Sequence, residues 1–201
     1  DGALTNWYFS ADLAYQWNDG IDQEAWAGRV QAIYAMPDMA WSPTITYSYQ
    51  TFSGDDPDTA TLERYDPLYY EGSPSAWATG SKSASTFINS NVAAHSFSLR
   101  LQPTESDTFT LRYAHIRANE LNSPIQFGQA TRIDLDGNVV TGVLDAHLSD
   151  DLFLEWNRVI NRNTFFSAGL AVSFPGAGID DALGRDASAW TGGYMNVVIN
   201  F

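Results

Sequence analysis

Apolar and polar residues alternate along most of this chain with a period of two, the repeat of a strand whose faces meet different surroundings. In TNWYFSADLAYQW, residues 5–17, the apolar Trp7, Phe9, Ala11, Leu13, Tyr15 and Trp17 oppose Tyr8, Ser10, Asp12, Ala14 and Gln16. Seven more segments share the pattern: AWAGRVQAIYA, TITYSYQ, HSFSLRLQ, TFTLRYA, DLFLEW, SAGLAVSF and the terminal YMNVVINF. The spacing predicts eight strands, with Phe153 breaking the alternation in the sixth.

A strand packed on a protein core and a strand facing lipid alternate alike, so connections and lengths must separate them. MPDMA, PTESD and NRNT read as tight turns joining strands 2 to 3, 4 to 5 and 6 to 7. Long polar stretches join strands 3 to 4, 5 to 6 and 7 to 8, and only NDGID, between strands 1 and 2, is brief at that end. A meander built this way carries its tight turns at one end and its long loops at the other, as outer-membrane barrels do. Greek-key sandwiches rarely sort their loops so. Strands 1 and 2 reach the roughly nine to eleven residues that a tilted membrane strand needs. Trp7 and Trp17 bracket strand 1, while Trp41, Tyr47 and Tyr49 lie along strand 3, which fits two interfacial girdles of aromatic rings. The expected fold is all-β: a transmembrane antiparallel up-and-down β-barrel domain over residues 1–201.

Composition narrows the partners. Aromatic residues are 14% of the chain although the mean hydropathy is −0.24, the balance of a thin apolar band around a wet interior. A carbohydrate-binding sandwich would share it. The net charge of −14, with ten Lys plus Arg and one lysine, Lys82, argues against nucleic acid or an anionic membrane surface. The absence of cysteine excludes a disulfide scaffold, thiolate zinc sites and cysteine nucleophiles. No cofactor is expected. YMNVVINF resembles the terminal-strand signal of bacterial outer-membrane proteins, which the barrel-assembly machinery reads. That resemblance implies Phe201 at the periplasmic rim, Ile199, Val197 and Met195 facing lipid and lipopolysaccharide, and long loops outside a Gram-negative cell.

Three stretches resemble the alginate export family of outer-membrane barrels. They are TFSGDDPDTATLERYDPLYYEG (51–72), HSFSLRLQPTESDTFTLRYAHIRAN (95–119) and LFLEWNRVINRNTFFSAGLAVSFPGAG (152–178), in the family's order. The resemblance implies a transport barrel for a polysaccharide or smaller solutes. Members of the family are larger, so the chain looks like a C-terminal half, to be completed by an N-terminal half or a second chain. Eight strands closing alone would fill their interior with side chains.

Alternation predicts that Arg29, Gln31, Arg100, Gln102 and Arg112 face the lumen, with Asp12, Glu155 and Asn157 among them. Such arginines would either form a ladder for the carboxylates of an anionic solute or pair with Asp12 and Glu155 to neutralise the interior. Arg117 and Arg158 fall out of phase, which implies an interface, a bulge or a shifted register. Asp55, Asp56 and Asp58 in GDDPD could supply oxygens to Ca²⁺, but without EF-hand spacing a solvated loop is the alternative. IDLDGNVVTG carries an Asp136–Gly137 turn and reads as a small hairpin within an outer loop that could fold into the pore. His95, His115 and His147 are scattered, without HExxH or GxSxG. His95 and Ser96 are neighbours on a strand and point to opposite faces, so catalysis is not expected.

The function expected is a passive conduit. The rivals are a non-transporting barrel acting in adhesion or as the structural partner of a complex, and a soluble sandwich that binds carbohydrate.

Overall fold

The computed structural model describes residues 5–67, 79–81, 84, 86–125, 132–133, 139–140 and 142–201. Eight long strands form one antiparallel sheet: β1 (Trp7–Asn18), β2 (Gln23–Ala35), β3 (Thr44–Phe52), β4 (Val92–Leu101), β5 (Asp107–Ala118), β6 (His147–Asn161), β7 (Thr164–Pro175) and β8 (Trp190–Ile199). Each pairs with its neighbour in the chain, so the topology is the expected up-and-down meander. With nine to fifteen residues apiece, the strands are long enough to cross a bilayer at a tilt. No helix among the described residues is long and apolar enough to do so.

Loops sort as the sequence predicts. Residues 36–43, 102–106 and 162–163 close one end, while 53–91, 119–146 and 176–189, with the brief 19–22, lie at the other. Two short ladders sit in the long connections: Thr79–Gly80 with Thr86–Phe87, and Arg132–Ile133 with Val139–Val140. The second is the expected hairpin; its Asp136–Gly137 turn lies outside the described residues, as do Leu68, Tyr69 and Tyr70 of YDPLYY.

The two faces of the sheet differ in chemistry. Leu13 is 82% exposed, Leu170 68% and Met195 78%, and no second sheet covers that face among the described residues. A soluble sandwich would have buried it. Aromatic rings gather near the tight turns, where Trp7 meets Tyr34 at 4.8 Å and Trp156 meets Phe166 at 5.0 Å. Tyr15, Trp17 and Trp26 gather at the loop end.

The opposite face carries a hydrophobic core at the loop end. Ala27, Phe52, Val92, Ala94, Ala114, Ile116 and Leu148 come from strands, and Ile125, Val143 and Ile179 come from the long connections folded against them. Ile179 belongs to a helix, α1 (Ala177–Leu183), which begins after Gly176 and stops at Gly184, whose φ of 65° suits the left-handed cap. Period-two reading foresees no helix here.

Two departures from a closed regular barrel matter for function. Among the described residues β1 pairs only with β2 and β8 only with β7, leaving one edge of each without a ladder partner. A β-bulge also interrupts the β5–β6 pair: His147 opposes Arg117 and Ser149 opposes Ile116, so Leu148 is the extra residue.

Candidate functional site

Inward side chains fall in rows set by the strand register. Asp12 opposes Arg29, and the guanidinium donates to Asp12 Oδ2 from Nη2 at 2.9 Å and from Nε at 3.1 Å. Gln31, Thr46, Ser48, Gln50, Ser96, Ser98 and Arg112 line a polar cleft of about 90 Å³ across β2 to β5. Arg100 shares the face, opposite Thr44 and Thr110. Gln102 sits just past β4, its backbone N–H donating to Trp41 O at 2.7 Å. Asn157 lies opposite Ser167.

Glu155 accepts the hydroxyl of Tyr194. Between them in the ladder is Gly169, where a Cβ would stand 2.4 Å from Tyr194 Cε1 and 2.9 Å from Phe153 Cε2. Phe153 therefore departs from the apolar-outward pattern for a packing reason: it and Tyr194 cover a glycine on the inner face.

The loop end of this face is not open strand. Gln16 and Asp66 bind each other twice, Gln16 Nε2 donating to Asp66 O at 2.5 Å and Asp66 N–H donating to Gln16 Oε1 at 2.9 Å. Gln50 Nε2 donates to Thr79 Oγ1 at 2.7 Å, and buried Asp151 accepts Ser81 N–H at 2.8 Å. Asn91 Nδ2 donates to Glu120 O and Ser123 O. These bonds hold the outer connections against the inner wall.

Arg117 stands beside the bulge at Leu148, and Arg158 lies near the tight turns, 3.3 Å from Asp107. Both placements account for their being out of phase. In the acidic loop, Asp55 Oδ1 accepts Glu63 N–H and Asp56 Oδ1 accepts Asp58 N–H, each at 2.9 Å, so these carboxylates close local turns. Asp56 also joins Glu24, Glu63 and Glu120 in an acidic cleft of about 380 Å³, with Trp26 and Tyr49 on its wall.

The histidines are not all scattered. Among the described residues, the set of three side chains whose ligand atoms lie within 4.8 Å of one another is His115, His147 and Asp150, and not Asp55, Asp56 and Asp58. Period-two reading sets His147 and Asp150 on opposite faces, so no local signal could have joined them. His95 is held by Tyr47 Oη at 2.9 Å, while Ser96 lines the cleft on the other face. Met195, Val197 and Ile199 lie exposed on the apolar face, and Phe201 stands past the end of β8, where Asn200 N–H donates to Asn163 O of the last tight turn.

An antiparallel meander with an apolar outer side, a polar inner side and sorted loops defines the class of outer-membrane β-barrels. The chain matches the Alginate export family over residues 1–201, and it belongs to that family. Membership sets its general role as export at the outer membrane. No curated protein matches the chain.

Proposed function

We propose that this chain forms part of the wall of a barrel wider than eight strands, through which a polysaccharide or small hydrophilic solute passes without chemical change. The observation that carries this is the exposure of Ser10 and Asp12, inward-facing residues of β1, together with the edges of β1 and β8 that have no ladder partner among the described residues. In a closed eight-stranded barrel such residues would be packed against the opposite wall. In lipid, unpaired edges cost several kcal/mol per unsatisfied group, which favours further strands from an N-terminal half or a second chain. Arg100 and Arg112 provide cationic positions along the path, while Arg29 pairs with Asp12 and Glu155 holds the Tyr194 hydroxyl.

Conductance of the purified full-length protein in planar bilayers tests the reading. Open-channel currents are expected, and Arg112→Glu should shift permeability toward cations. A second reading, a non-transporting barrel presenting its loops to a partner, is favoured by the core that ties those loops to the inner wall. Silent bilayers with correctly folded protein would select it.

A further inference from the structure

On the outward face near the loop end, two imidazoles and a carboxylate meet, and we propose that His115, His147 and Asp150 bind a divalent transition metal of the zinc class. His115 Nδ1 lies 2.9 Å from Asp150 Oδ1, and His147 Nε2 lies 2.9 Å from Asp150 Oδ2. The two rings stack with centroids 5.0 Å apart. In a tetrahedral site with metal bonds near 2.0–2.1 Å, neighbouring ligand atoms stand about 3.4 Å apart. All three ligand atoms here are within 4.8 Å of one another, so shifts of about an ångström convert the hydrogen-bonded set into a coordinated one.

The bulge makes the site. Residues three apart on a regular strand point to opposite faces, and the extra residue at Leu148 restores His147 to the face of Asp150 and of His115 across the ladder. Neighbours then hold Asp150 and His147. Tyr113 Oη donates to Asp150 Oδ1 at 2.6 Å, and His147 N–H donates to Asp145 Oδ1 at 2.8 Å. Gly176 leaves room for the His147 ring, since a Cβ there would stand 2.5 Å from Nδ1. The Tyr113 bond is of the kind that orients a ligating carboxylate.

Ligand type sets the metal class. Imidazole nitrogens with one carboxylate suit Zn²⁺, Ni²⁺ or Cu²⁺, whereas Ca²⁺ and Mg²⁺ require mostly oxygen. Three protein ligands leave the fourth tetrahedral position to water. A bound ion would fasten β5 to β6 across their irregular register, on the side of the sheet away from the polar cleft.

The test is calorimetric titration of the tag-free, full-length protein in detergent with Zn²⁺ after chelator treatment, in excess Mg²⁺. One equivalent is expected to bind, with affinity reduced at least tenfold by His147→Ala and by Asp150→Asn. His95→Ala, which alters the neighbouring histidine already engaged by Tyr47, should leave binding unchanged. Heat-modifiable gel migration checks that each variant folds, and His147→Gln replaces the alanine variant if it does not. Zn-edge X-ray absorption of the unaltered protein should show two imidazoles in the metal shell. An oxygen-only shell, no saturable binding, or binding that survives His147→Ala but not His95→Ala overturns the proposal.

Discussion

Leu170→Arg tests what wets the apolar side of the sheet. Leu170 is mid-strand in β7, five residues from Pro175 and six from Thr164. At about 3.3 Å per residue and a tilt near 45°, it lies about 12–14 Å from either end of the apolar band, close to the middle of a band roughly 25 Å tall. Its neighbours across the ladder are Leu154 and Gly193, so no carboxylate opposes the new charge. An arginine at that depth costs about 2–4 kcal/mol, a roughly 30- to 700-fold loss in the folding equilibrium constant. Asn196→Arg, on the inner face of β8, should cost at most about 1 kcal/mol because its charge meets water. Reversible urea unfolding in lipid vesicles, followed by tryptophan emission, measures both. Equal effects of the two substitutions, or a folded monomer of the unaltered protein in detergent-free buffer, would refute lipid contact.

Gly169→Ala should destabilise by about 1–3 kcal/mol in the same unfolding assay, because the added methyl displaces the rings of Tyr194 and Phe153. Arg29→Ala should change the urea midpoint little, since an ion pair with a partly exposed partner is worth at most about 1 kcal/mol; bilayer ion selectivity is its sensitive readout. Burial, then the nearby Asp66 charge, pushes the Tyr65 phenol above its ordinary pKa. Its neutral form therefore contributes stability that is whole below the unfolded value of about 10 and lost as pH rises through the folded value. Phenolate absorbance at 295 nm should show late-titrating tyrosine, and Tyr65→Phe should lower that late amplitude by one residue's share. Phe52→Ala removes a buried side chain beneath the outer connections and should cost about 3–5 kcal/mol, with faster proteolysis in residues 53–67.

Alternation determined the eight strands and which side chains share a face, because side-chain direction in a strand depends only on the local backbone, and the sorted connection lengths gave the meander order. Arg29, Gln31, Arg112 and Glu155 were legible on the polar face, and Met195, Val197 and Ile199 on the apolar one, for that reason. Tertiary structure alone decided the rest. Leu148 has no residue opposite it on β5, and that slip of one residue brings His147, Asp150 and His115 together. Phe153 packs with Tyr194 over Gly169, a contact between three strands that explains why an apolar ring occupies the inner face. The core under the loops, and the edges of β1 and β8 that lack a ladder partner among the described residues, are likewise properties of segments far apart in the chain, set by contacts that no period of two can encode.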